Sequence, residues 1–373
     1  MLDTQNVLKN EELAVFRLRA LYRTKGYTPY KMSKFEEYDL YARNKQFLVS
    51  ENVITFTDTN GKLMALKPDV TLSIIKNGKD TSGKVQKLYY DEHVYRVSKG
   101  THSFKELMQV GLECIGDVDD YCICEVLSLA ADSLAQISDD YVLDLSDMEL
   151  LGTALSDLAL DDQKKNAVLQ CIGEKNLHGV IRIASEAGLP AEQLDRLKAL
   201  LAIKGNPADA IEALRALLPE NAAEIERLAR VSAALKKHVG CGKVRLDFSV
   251  VNNMSYYNGL VFQGFVKGVP ASVLSGGQYD RLMQKMNRRA KAIGFAVYLD
   301  LLERLGESVS QYDVDAVLLY DESCEPAALL RAADALVAEG KQVSVQKALP
   351  ENLKYKELLQ LRDGEVCVLE TNA

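Results

Sequence analysis

Met108-Gln109-Val110-Gly111-Leu112-Glu113 puts Gln109, Gly111 and Glu113 on one set of alternate positions and Val110 and Leu112 on the other. A two-residue period of this kind marks a strand with one polar and one apolar face. By itself it describes the polar-out strand of any antiparallel sheet equally well. Working outward, β signals lie at Lys87-Leu88-Tyr89-Tyr90, His93-Val94-Tyr95-Arg96-Val97, Val110 to Ile115, Val244 to Val251, Gly259 to Val266 and Ile293 to Val297. Upstream, Phe47-Leu48-Val49 and Val53-Ile54-Thr55-Phe56 precede the turn signal Thr59-Asn60-Gly61, which predicts hairpins between Tyr27 and Leu63. The strands thus fall into two blocks. Between them, roughly residues 156–238 are rich in Ala, Leu, Glu and Lys, with helical spacing over 208–218 and 222–237 and breaks at Gly205-Asn206-Pro207 and Pro219. This predicts a helical insertion. An amphipathic helix over 11–25, stopped by Gly26, opens the chain. Runs of strands and helices kept apart predict an α+β fold, not the alternation of a parallel Rossmann sheet. From about Val314 the pattern changes to β-α-β-(α)-β: Ala316 to Tyr320, a helix from Pro326 to Glu339, Val343-Ser344-Val345 and Glu365 to Leu369. The expected domains are therefore 1–310, with its insertion, and a small α/β unit over 314–373.

The chain has 373 residues, with 45 Lys and Arg against 53 Asp and Glu, a net charge of -8. No overall basic field draws it to a polyanion, so nucleic acid is not an expected partner. No stretch approaches the roughly 18 apolar residues of a membrane span, and Met1-Leu2-Asp3-Thr4-Gln5 opens neither a basic flank nor a signal core. A cytoplasmic protein is the expectation. Cys114, Cys122, Cys124, Cys171, Cys241, Cys324 and Cys367 are an odd, scattered set that suits a reducing compartment. Cys122-x-Cys124 has no second pair at zinc spacing, and His93, His102, His178 and His238 are far apart, so neither metal nor cofactor is expected. Residues 78–85 nearly match a phosphate-binding loop, but Val85 stands where a magnesium-binding hydroxyl is needed. Dinucleotide, zinc-protease and α/β-hydrolase motifs do not occur.

Four segments carry chemistry together: Ala65-Leu66-Lys67-Pro68-Asp69-Val70-Thr71; Tyr95-Arg96 followed by Met108 to Glu113; Ser255-Tyr256-Tyr257-Asn258-Gly259-Leu260-Val261-Phe262; and Ser275-Gly276-Gly277-Gln278-Tyr279-Asp280. Oxygens of Asp69, Thr71 and Gln109 suit an α-ammonium, and Glu113 with Tyr257 suits the two imidazole nitrogens of a free histidine. A pocket built on such bonds rejects analogues that leave its polar groups unpaired. Gly276-Gly277 permits positive φ or close backbone approach, as a loop capping a ligand or as an ordinary hairpin turn.

In order and spacing, from near Asn10 to Gly306, these segments resemble histidyl-tRNA synthetases, whose class II fold is an antiparallel sheet with flanking helices. The resemblance implies that Tyr256 walls the histidine pocket and that Asn258-Gly259 belongs to it. It implies a dimer interface at Lys31-Met32-Ser33-Lys34-Phe35-Glu36-Glu37, although Ser33 replaces the usual proline. It also makes residues 314–373 a shortened anticodon-binding domain.

The departures point away from ligation. The arginine that precedes the paired tyrosines in the synthetases is Asn252 here, and the arginine that packs on adenine is Leu301. A neutral amide does not replace a guanidinium aimed at a carboxylate or phosphate. Arg96 survives as the cation near the ligand carboxylate, but the glutamate expected two residues later is Ser98. A histidine pocket without the adenylation arginines resembles the ATP phosphoribosyltransferase regulatory subunits. That family implies a non-catalytic chain assembled with a short-form catalytic subunit, in a hetero-octamer, for the first step of histidine biosynthesis under histidine feedback. The alternatives are a histidine-tRNA ligase with an unusual site and a stand-alone histidine-binding module.

Overall fold

The computed structural model describes residues 9–45, 53–78, 83–98, 101–156, 158–240, 242–251, 256–304, 311–362 and 364–372. Phe47-Leu48-Val49, Lys79 to Ser82 in the near-miss loop, Cys241 and Asn252 lie outside them. The chain divides into two units, Met1–Leu305 and Gly306–Ala373.

Nine strands form the sheet of the large unit, in the order Thr28–Pro29, Val85–Val97, Phe104–Gly116, Lys291–Tyr298, Leu274–Gln278, Leu260–Val266, Tyr141–Asp147, Val244–Asp247 and Lys204–Gly205. The six from Val85–Val97 to Tyr141–Asp147 pair antiparallel throughout. The signals at 87–90 and 93–97 merge into one strand. Tyr141–Asp147, Leu274–Gln278 and the two-residue Lys204–Gly205 were not expected: the first alternates only over Leu143 to Ser146 and is buried on both faces, the second is mostly glycine and serine, and the third falls in a break of the helical insertion.

One face of this sheet meets two helices. Asn10–Thr24 turns Ala14, Val15, Leu18 and Tyr22 inward, and the chain leaves it at Gly26 with φ +78°. Asp120–Ala135, capped by Asp119 Oδ1 accepting from the Cys122 N–H at 2.9 Å, buries Ile123, Val126, Leu127, Ala130 and Leu134. Tyr22 joins all three layers, with its hydroxyl 3.0 Å from Ser133 Oγ and its ring edge-on to Phe295 at 6.0 Å. The insertion is helical as expected, with Asp162–Gly173, Leu177–Glu186, Ala191–Ala202, Pro207–Leu217 and Ala222–Val239. Asn206 Oδ1 accepts from the Ala208 N–H at 3.0 Å, with Pro207 as the first helical residue, the asymmetry expected of a helix start. Leu200, Leu214, Leu228 and Val231 belong to the same apolar cluster as the sheet, so the insertion shares its core. A smaller sheet pairs Phe35–Glu37 and Thr55–Thr57 with Leu63–Leu66 between them.

The small unit has the order Val343–Gln346, Val314–Leu319, Tyr355–Arg362, Glu365–Thr371, parallel except for the last pair, with helix Pro326–Ala338. The optional second helix of the β-α-β-(α)-β reading is absent from the described residues, which is a correction. Tyr355–Arg362 is a strand that turns at Gly364, φ +83°, into its antiparallel neighbour. The sequence signal failed there because Leu358, Leu359 and Leu361 serve both periods. Among the described residues no helix is long and apolar enough to cross a membrane.

Candidate functional site

The opposite face of the large sheet carries the expected site. Gln109, Gly111 and Glu113 share it, and the register brings neighbours alongside: Leu88, Glu113, Gly294 and Gly277 in one row, Tyr90, Gly111, Ala296 and Ser275 in the next, then Glu92, Gln109 and Tyr298. Three of these positions are glycines with ordinary φ, used for space. A Cβ on Gly111 would strike the Tyr90 ring, one on Gly277 the Tyr257 ring, and one on Gly294 the Glu113 carboxylate. Each side chain therefore lies down over its neighbour's bare backbone, which makes a shallow floor in the middle of a sheet.

Glu113 is the centre of that floor and is buried. Thr71 Oγ1 donates to its Oε1 at 2.7 Å and the Tyr279 hydroxyl to its Oε2 at 2.6 Å. Burial pushes its carboxyl up to about 8, aided by the Asp69 charge and opposed by the Tyr279 and Thr71 bonds. An acid so placed is largely protonated at neutral pH and can exchange a proton with an imidazole. Burial also raises Asp69, opposed by the Leu72 N–H, which donates to Oδ1 at 2.9 Å, and by the nearby Arg96 guanidinium. Arg96 Nε donates to the Pro68 carbonyl at 3.3 Å. Tyr256 and Tyr257 stack obliquely with centroids 4.4 Å apart, Tyr279 is 5.8 Å from Tyr256, and burial raises all three phenols together with Tyr90. A wall of neutral phenols around two carboxyls and one guanidinium is suited to a small zwitterion.

The structure thus gathers Asp69, Thr71, Arg96, Gln109, Glu113, Tyr256, Tyr257 and Gly277 on this face. One reading needs correction. Gly276-Gly277 is neither a capping loop nor a turn but the middle of strand Leu274–Gln278. Gly276 faces the other way, where a Cβ would meet Phe262 and Phe295, so it serves packing and not the ligand side. Thr71, expected to accept from the α-ammonium, gives its own proton to Glu113, which keeps its oxygen available as the acceptor that reading requires. The sequence reading missed Tyr279, Tyr90, Gly294 and Lys67. Tyr279 stood inside a quoted motif, and its signal was position: a tyrosine just past the strand whose Gly277 lies in the same row as Glu113. Leu301, in the adenine-clamp place, packs partly buried against the main core. A separate open cleft of about 690 Å³ lies by the start of helix Asp120–Ala135, lined by Asp117, Asp119, Asp120, Glu149, Asp280, Arg227 and Lys291 among others. Among the described residues no three His, Cys, Asp or Glu side chains are grouped to hold a metal ion.

The histidyl-tRNA synthetase family model matches residues 4–302. The chain is 24% identical to an ATP phosphoribosyltransferase regulatory subunit of Oceanobacillus iheyensis, over 83% of this chain and 78% of that one. It is 27% identical to one of Clostridium acetobutylicum, over 91% and 86%. In fold it is similar to an ATP phosphoribosyltransferase regulatory subunit/histidyl-tRNA synthetase from Bacillus halodurans, with TM-score 0.72 at 23% identity over 94% of this chain and 93% of that. A histidyl-tRNA synthetase from Nostoc gives 0.70 at 16%, over 96% and 93%. A chain of an ATP phosphoribosyl transferase complex from Thermotoga maritima gives 0.61 at 19%, covering 76% of this chain and 96% of that one.

Proposed function

The chain belongs to the histidyl-tRNA synthetase family, and on that premise we propose that it is a regulatory subunit of ATP phosphoribosyltransferase and not a ligase. It has no catalytic residue of its own. It is required for turnover by a short-form catalytic subunit, and free histidine, held between Glu113 and Tyr257 with its ammonium near Asp69, carries feedback to the first step of histidine biosynthesis. One contrast supports this most: Glu113 has both its hydroxyl partners, Thr71 and Tyr279, while Leu301, where adenine would need a cation, is an apolar side chain packed partly buried against the core. Preorganised charge is commonly worth a hundredfold or more in rate per group, so adenylation without it is slow. The names of the relatives point the same way. In residues 306–373 acids outnumber bases about two to one, which disfavours an anticodon contact. The half-exposed ring pair Phe35 and Phe56, edge-on at 5.4 Å in the smaller sheet, supports a self-dimer through that segment.

Feedback requires histidine to bind the inhibited arrangement of the complex more tightly, with couplings typically about 1–3 kcal/mol. The test mixes the chain with the short-form subunit of its own organism and follows phosphoribosyl-ATP formation against histidine, each subunit alone as control. Turnover that needs both chains and falls with histidine is expected. Turnover indifferent to this chain refutes the regulatory role, and pyrophosphate exchange by the chain alone would make it a ligase. Glu113→Ala with unchanged histidine affinity refutes the site.

A further inference from the structure

Lys67 has its ammonium inside the protein: the side chain is 0% exposed, and Nζ lies 2.6 Å from Glu92 Oε2. Lysines are almost never fully buried unless paired. Yet a buried ion pair is a weak source of stability, and two well-packed apolar side chains of similar volume often hold a fold as well or better. The pair is therefore better understood by what it fixes. Lys67 begins the Lys67-Pro68-Asp69 stretch, which leaves the strand Leu63–Leu66 and delivers the Asp69 carboxylate to the site. Pro68 has no N–H to bond, so the stretch must be held from its flanks. The Lys67 N–H donates to the Lys34 carbonyl at 3.1 Å, and its own carbonyl accepts from the Tyr95 N–H at 2.9 Å. Glu92 is anchored in turn. It sits opposite Gln109 on the site face of the sheet, and its Oε1 accepts from the Met32 N–H at 3.4 Å. Beyond Asp69, the helix Thr71–Asn77 is tied down by Lys76 Nζ, 2.7 Å from the buried Glu36. Two side-chain ties lead from the sheet's site face back to this stretch, the Arg96 Nε bond to the Pro68 carbonyl at 3.3 Å and the Lys67–Glu92 pair at 2.6 Å, and the second is the ionic one with its cation out of water.

We propose that Lys67 is a positioning residue: through Glu92 it sets where the Asp69 carboxylate stands, and so the affinity for the ligand's α-ammonium, while touching no ligand itself. This rests on the histidine reading of the site. The test is a double-mutant cycle on the full chain, with L-histidine titrated calorimetrically into the wild type, Lys67→Met, Asp69→Asn and the double variant. Asp69→Asn keeps an oxygen for the Leu72 N–H but removes the charge. Lys67→Met is expected to weaken histidine binding at least tenfold. In the Asp69→Asn background the same change should weaken it less than threefold, because no carboxylate is left to position. As Lys67→Met strands the Glu92 carboxylate, Lys67→Met/Glu92→Leu is run beside it as the form expected to stay folded, with the same loss of affinity. Equal factors in both backgrounds make Lys67 merely structural and overturn the proposal, as does unchanged affinity in Lys67→Met/Glu92→Leu. A wild-type chain that binds no histidine overturns the histidine reading itself, so the two failures are distinguishable.

Discussion

Leu112 and Glu113 are neighbours on one strand and answer to different physics. Leu112 is fully buried against Tyr89 and Phe295 in the row that the two covering helices close, so its face of the sheet is specified by volume. Glu113 is almost as buried, but among hydroxyls, phenols and a second carboxyl, so its face is specified by charge and hydrogen bonding. Burial alone does not distinguish core from site. What distinguishes them is whether the buried group gains or loses by leaving water.

The sharpest way to break this comparison is to truncate the core side. Leu112→Ala should destabilise the large unit by about 2–5 kcal/mol, the usual range for a core leucine, and its urea midpoint should fall accordingly. Glu113→Gln should change the unfolding free energy by less than about 1 kcal/mol at about pH 4, where the carboxyl is neutral in the folded chain and largely so in the unfolded one, so that acid and amide are close equivalents. If the two variants lose equal stability, the faces are not differently specified.

The paired glycines sharpen it further, with a smaller effect. Gly276→Ala puts a methyl against Phe262, Phe295 and the Gly294 carbonyl, and overpacking of this kind costs about 1–3 kcal/mol. Its expected signature is a lower midpoint with histidine affinity little changed in the folded fraction. Gly277→Ala meets the Tyr257 ring instead, so affinity should fall as the ring is displaced. A reversed pattern of stability and affinity would undo the assignment of the two glycines to opposite faces.

Much of the core side was legible in the sequence because volume leaves a periodic trace. Helix 11–25 shifted by one residue, and the strands around Val110, Gly259 and Ile293 stand where alternation put them. The helix Asp120–Ala135 left a fainter trace: most of it is buried, and only a narrow stripe through Tyr121, Cys124, Ser128 and Asp132, in which polar and apolar types are mixed, is less so. The site was legible mainly through its resemblance to a family, since Gln109, Gly111 and Glu113 alone describe any polar-out strand. Which residue meets which was not legible at all. Thr71 and Glu113 are 42 positions apart and Tyr279 and Glu113 are 166 apart. A pairing over such distance is fixed by sheet register and by three glycines, whose spacing in sequence says nothing about the rings and the carboxylate lying over them.

The pH dependence of stability gives the most direct reading of the site face. An exposed glutamate titrates near 4.3, and burial holds Glu113 at about 8. A carboxyl raised in the folded state binds a proton there that the unfolded chain has already lost. Its contribution to stability is therefore present in full below the unfolded value and is lost as pH rises through the folded one. Between the two, the loss from this group alone should run at about 1.4 kcal/mol per pH unit, levelling above about pH 8. Other groups titrate as well, so the quantity to follow is the difference in urea-unfolding free energy between wild type and Glu113→Gln, which cancels what the two chains share. That difference should turn steadily against the wild type from about pH 5 to about pH 8. A flat difference would mean that Glu113 is ionised in the folded chain, with its charge already compensated by Thr71 and Tyr279. The ligand would then meet a carboxylate instead of an acid. The slope therefore decides which partner, site or imidazole, brings the proton that the two must share.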